Sequence, residues 1–206
     1  TPKRRGDWLL RRCTAKQLLQ ALARQNGRTA PLSAITIASD KDGAPYTRFG
    51  ARSGAGWSLS LSHSHGVAFC AATAGACRLG ADIEWIEPRA PGFARDYLTP
   101  AELALVVRAG AARDCLLTAM WSGKEAALKA LRIGLRVDTR SVSCLIAPER
   151  EAATGWQPFW LAWDERCFGQ EMSPLPAAGW WRLWQGFVLT LVAQPPGDWT
   201  GKRQKQ

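Results

Sequence analysis

The 206-residue chain has only two histidines, His63 and His65, and its six cysteines form no C-x-x-C pair. A zinc site therefore lacks the ligands to close it. The scattered thiols instead predict reduced, mostly buried cysteines in a cytoplasmic protein. No signal peptide is recognisable, and no apolar run is long enough to cross a bilayer. Acids are also scarce: 17 against 27 lysines and arginines, a net charge of +10. That imbalance favours an anionic partner without choosing among nucleic acid, a phosphorylated ligand, a membrane surface and an acidic protein. Tryptophan is abundant, with eleven residues, and the simplest expectation is large core fillers. The hydrophobic content of 47% excludes a disordered chain. The length suits one compact domain or two small lobes. The basic end, residues 201–206, reads as a solvated tail.

Residues 3–25 read as a helix, with Leu9, Cys13, Leu18, Leu19, Leu22 and Ala23 at helical spacing and a basic opposite face. The chain starts almost within this helix, which suggests a domain cut from a longer protein. Residues 36–50 read as strand and turn around Asp42-Gly43 and Pro45. From Trp57, apolar Trp57, Leu59 and Leu61 alternate with Ser58, Ser60 and Ser62, which predicts a half-buried strand. A turn at His63-Ser64-His65-Gly66 leads to a second strand from Val67, and residues 78–86 form a third. Thr99, Pro100 and Glu102 are helix-start signals. A longer helix spans 111–131, and 135–147 and the last sixty residues turn to strands. Helices and strands mix without regular βαβ alternation, so the expected class is α+β.

Within the third strand, Asp82 and Glu84 stand one residue apart. On a strand, residues i and i+2 share a face. Two adjacent carboxylates repel, and one protonates unless a cation sits between them. An exposed salt-bridge pair is the simpler alternative. In the long helix, Glu125 and Lys129 are one turn apart, on a face shared with Trp121, which alone is an ordinary helical ion pair. Together, Asp82, Glu84 and Glu125 offer three oxygen ligands of the type that suits Mg²⁺ or Mn²⁺. Such an ion beside a lysine on a basic protein points to phosphoryl chemistry.

These residues form the pattern G-x-D-x-E (Gly80, Asp82, Glu84), then W-S-x-K-E-A-x-x-K (Trp121, Ser122, Lys124, Glu125, Ala126, Lys129). Ahead of them lies "SLSHS", Ser60 to Ser64. Between them is "LTPAE", Leu98 to Glu102, and after them "GLRV", Gly134 to Val137. In this order the motifs resemble the 4′-phosphopantetheinyl transferases of the surfactin-synthetase type, over about residues 57–140. The opening "RRGDWLLRRCTAK" is similar to that family's first helix, with Arg11 in place of a glycine.

The resemblance implies a pseudo-dimer of two similar α/β lobes with mostly antiparallel sheets and a nucleotide cleft between them. Its boundaries here would be 1–78, 79–200 and the tail 201–206. It implies transfer of phosphopantetheine from coenzyme A to a carrier-protein serine, leaving adenosine 3′,5′-bisphosphate. Asp82, Glu84 and Glu125 would hold Mg²⁺, Glu125 would take the serine proton, and Lys129 would stabilise the leaving phosphate. His63 and Ser62 would contact phosphate, and Lys124 would reach another phosphate of coenzyme A. The Gly43-Ala44-Pro45 turn would lie along the adenine, without the lysine the family carries at Ala44. Arg4, Arg5, Arg12 and Lys16 are candidates for the 3′-phosphate. Glu102 would cap an exposed helix start and approach the metal, and His65 is structural. Phe93, Tyr97 and Leu98 would dock an acidic carrier protein, drawn by the +10 charge. No nucleic acid or membrane partner is expected, and a monomer or a domain of a larger synthase is. A basic tryptophan-rich nucleic-acid module would explain the charge but not three ordered acids. A degenerate relative that binds coenzyme A without turnover is the other alternative.

Overall fold

The computed structural model describes residues 1–49, 52–53, 56–146, 155–168 and 178–194. The tail 201–206 lies outside them, as does the end of the second expected lobe. A long helix, α1 (Pro2–Gln25), opens the fold, capped by the Thr1 hydroxyl accepting from the Arg4 amide. Its buried stripe is Ala15, Leu19 and Ala23, at i, i+4 and i+8. Leu9 and Cys13, expected on that stripe, are exposed instead. The stripe packs on β1 (Ile35–Ser39) and on the hairpin β4 (Trp57–Ser64) and β5 (Val67–Ala74). β1 pairs with β2 (Pro45–Phe49), which pairs with the short β3 (Arg52–Ser53). This first core gathers Ala15, Leu19, Ile35, Ile37 and Leu59.

The second core lies between helices and a five-stranded sheet. β6 (Arg78–Trp85) is an edge strand. The helices α2 (Phe93–Tyr97), α3 (Pro100–Arg108) and α4 (Arg113–Ala130) follow it, then β7 (Val142–Leu145), β8 (Gln157–Trp163), β9 (Ala178–Trp184) and β10 (Phe187–Gln194). The order is β6-β10-β9-β8-β7, and every pairing is antiparallel. α4 lies across β6 and β10, burying Leu117, Met120, Ala127 and Leu128. It lies so close that a Cβ on Gly80 would run into the Ala126 carbonyl. The result is a mixed α/β fold with antiparallel sheets. Among the described residues no helix is long and apolar enough to cross a membrane.

β4 is not half-exposed, as its alternation suggested. Its serine face is turned against the free edge of β6, where side-chain hydroxyls replace a neighbouring strand. Ser58 Oγ accepts from the Cys77 amide at 2.9 Å, Ser60 Oγ from Ala81 at 2.8 Å and Ser64 Oγ from Trp85 at 3.3 Å. A sheet edge that would otherwise present unpaired amides is thereby satisfied. Polar residues alternate here because they join two buried surfaces.

Two compositional expectations also change. Cys144 is the one buried cysteine among the six, while Cys13 and Cys167 are exposed. Of the described tryptophans only Trp181 is buried, and Trp160 is 76% exposed at the far side of the sheet. Most indoles sit at seams and surfaces here, while the second core is filled mainly by aliphatic residues together with Phe159 and Trp181.

Candidate active site

β6 carries Asp82 and Glu84 on the face turned to α4, and Thr190 stands opposite Asp82 on β10. Asp82 is buried and fully engaged. Its Oδ1 accepts from Ser62 Oγ at 2.6 Å and from the Lys129 ammonium at 2.7 Å, and its Oδ2 accepts from Ser122 Oγ at 2.8 Å. Lys129 also donates to Ser62 Oγ and to the Ala81 carbonyl. One aspartate therefore ties β4, β6 and α4 together. Glu84 Oε1 accepts from Trp121 Nε1 at 3.2 Å, and its Oε2 accepts from the Arg89 guanidinium at 3.0 Å. Trp121 stands edge-on to Phe93 and Tyr97, so an aromatic group walls this side of the acids.

Glu125 differs from both. Its carboxyl has no hydrogen bond or ion pair among the described residues. Burial first, and the charge of Asp82 second, push its pKa up to about 7. Lys129 offsets part of this, and Glu84 adds a smaller upward push. The three acids thus share one electrostatic neighbourhood. Desolvation together with like charges is the condition under which a carboxyl titrates near neutrality.

A hard divalent cation matches these oxygen donors, and the uncompensated Glu125 supplies a motive for one. Even so, no three His, Cys, Asp or Glu side chains among the described residues converge closely enough to enclose an ion. Lys129 and Arg89 occupy carboxylate oxygens that such an ion would use.

The other expected residues separate from this centre in a regular way. Strand alternation points Ser62 at Asp82 and His63 the opposite way, where its Nε2 lies 3.4 Å from Asp7 Oδ2 on α1. His63 therefore faces the basic helix and not the Glu125–Lys129 pair. On that helix Arg12 stacks on Trp8 and donates to the Ile37 carbonyl, with burial and neighbouring Arg11 lowering its pKa. Lys16 donates to the Leu32 carbonyl, while Arg5 is exposed. The Gly43–Pro45 turn is built on Asp40, whose carboxylate accepts from the Asp42 and Ala44 amides. Gly43 has φ +83°, which suits glycine. Arg132, just beyond α4, pairs with Asp40, so this turn abuts the C-terminal end of the helix that carries Lys129.

Lys124 is a correction. Its ammonium is wholly buried, 2.8 Å from Glu102 Oε2, and it donates to the Thr139 and Val142 carbonyls. It faces the interior, with no path to a phosphate. Glu102 is likewise buried and not exposed: beyond its capping box with Thr99, its Oε1 accepts from the Cys144 amide at 2.7 Å. The i, i+1 offset from Glu125 turns Lys124 about 100° around the helix, which carries it into the core. Leu98, expected at a docking surface, is also in the core, while Tyr97 is exposed. His65 Nδ1 lies 3.1 Å from Ser64 Oγ and its Nε2 3.8 Å from Glu87 Oε2, and its ring is tilted against Trp85.

Sequence reasoning missed Ser122, Thr190, Arg89 and Asp7. Ser122 was inside a quoted motif and its spacing from Lys129 was legible. Thr190 was not, because only the β6–β10 register brings it there.

The geometry at β6 and α4 is that of an acid–lysine centre suited to proton transfer beside an anion. Residues 78–190, more than half of the chain, match the model of the 4′-phosphopantetheinyl transferase superfamily, and the chain belongs to that superfamily. No curated protein sequence matches it significantly. Membership supports phosphopantetheine transfer as the activity.

Proposed function

We propose that the chain moves 4′-phosphopantetheine from coenzyme A onto the serine hydroxyl of an acidic acyl or peptidyl carrier protein, as a surfactin-synthetase-type transferase with two lobes divided near residue 78. The observation that carries this reading is Glu125: a carboxyl poised near neutrality, without a hydrogen-bond or ion-pair partner among the described residues, beside Asp82 and Lys129. A general base works best with a pKa near the operating pH. Glu125 accepts the serine proton as the serine oxygen bonds to the β-phosphorus of coenzyme A. The bond from that phosphorus to the bridging oxygen breaks, and adenosine 3′,5′-bisphosphate leaves with the electron pair. Lys129, held by Asp82 and Ser62, places its ammonium toward the leaving phosphate. Asp82 and Glu84 would hold Mg²⁺ or Mn²⁺, which when bound supplies charge neutralisation at the pyrophosphate, while Glu125 stays free to take the proton.

His63 and the cations of α1, Arg5 among them, form a second anion-binding region for the 3′-phosphate, with the Gly43–Pro45 turn alongside the adenine. That division follows from the opposite facing of Ser62 and His63. The test is the intact mass of an apo-carrier protein after incubation with coenzyme A and Mg²⁺. A phosphopantetheine adduct that disappears with Asp82→Ala supports the reading. No adduct on fatty-acid, polyketide or peptide carriers overturns it.

A further inference from the structure

The side of the sheet opposite α4 carries a cavity of about 310 Å³, lined by Phe69, Ile83, Trp156, Arg182, Trp184 and Leu189 among others. It opens where β5 meets β6, β9 and β10. Ile83 points into it, while its neighbours Asp82 and Glu84 point the other way, so the cavity lies back to back with the acid centre. Its walls are aliphatic and aromatic: Trp156 packs on Phe69 with ring centroids 6.1 Å apart. Arg182 is the one charged residue among the described residues that line it. The guanidinium stands 5.9 Å from the Trp156 ring centroid, and its buried Nε has no hydrogen-bond partner among the described residues.

A buried N–H left unpaired is costly, so a ligand that pairs it gains from doing so. A planar carboxylate satisfies a guanidinium with two parallel hydrogen bonds, and the remaining walls accept only apolar matter. The volume falls at the small end of the range of small-molecule sites, roughly 300–1,000 Å³. We propose that this cavity binds a free medium-chain acyl carboxylate, head group on Arg182 and chain along Phe69, Ile83 and Leu189.

Isothermal titration calorimetry of the full chain with octanoate tests this, with octylammonium and octanol as controls. Saturable one-site binding of octanoate is expected, at least tenfold tighter than either control. Arg182→Met should weaken it at least tenfold and Trp184→Ala several-fold, each checked for folding by its melting transition. Arg182→Lys, which keeps the charge, should lose less than Arg182→Met. If Arg182→Met does not fold, Arg182→Lys and Trp184→Ala carry the comparison. No saturable heat with octanoate, equal binding of octylammonium, or unchanged affinity in the folded variants overturns the proposal. The readout is binding alone, so it does not depend on transfer activity.

Discussion

The Glu125 carboxyl makes a measurable prediction about stability. Its pKa rises from an ordinary 4.5 to about 7 on folding, first through burial and then through Asp82. Between those values the folded chain binds more protons than the unfolded one, so stability falls as pH rises. At about 1.4 kcal/mol per pKa unit, the full loss from this group is about 3 kcal/mol, complete above pH 7. Glu125→Gln keeps the shape and removes the titration. In urea unfolding with chelator present, the variant and the parent should match near pH 4.5 and diverge steadily. By pH 8 Glu125→Gln should be the more stable by about 3 kcal/mol. Comparing the two proteins cancels all other titrating groups. Parallel stability–pH curves would refute the reasoning, because they would show that Glu125 ionises at no cost in the fold. If Glu125 is also the base, the pH–rate profile of transfer should rise through about pH 7 in the parent.

Other perturbations follow from the same contacts. Lys124→Met leaves Glu102 buried and charged without its partner, so the melting transition should show a loss of about 3–5 kcal/mol. Replacing both by apolar residues should recover only part of that loss, because the Cys144 amide and the Thr139 and Val142 carbonyls lose their partners. Ser62→Ala removes a donor to Asp82 and an acceptor from Lys129, and chemical unfolding should show a loss of about 1–3 kcal/mol. Gly80→Ala forces α4 off β6, so soluble yield should collapse, or the melting temperature should fall by more than for any exposed substitution.

Much of the centre was legible in the chain because it rests on local periodicities. Asp82 and Glu84 share a face by the two-residue period of a strand, and Glu125 and Lys129 by the four-residue step of a helix. The capping box at Thr99 and Glu102 was equally local and is present. The failures were tertiary. Nothing within α4 says which side meets β7, so Lys124 read as a surface cation while its ammonium caps the Val142 carbonyl at the start of that strand. The serine alternation of β4 looked like a solvated face because its partner, the β6 edge, comes later in the chain. His63 was grouped with Ser62 by adjacency, although adjacent strand residues point apart. Trp156, Arg182 and Trp184 carried no local signal of a shared cavity, since that depends on how β5 crosses the sheet.

The most direct measurement for the central claim is the mass of an acidic apo-carrier after incubation with coenzyme A and Mg²⁺, run with the parent, Asp82→Ala and Glu125→Gln. The account predicts a phosphopantetheine adduct with the parent and none with either variant, each variant still folding cooperatively. An adduct formed at undiminished rate by folded Glu125→Gln would contradict it.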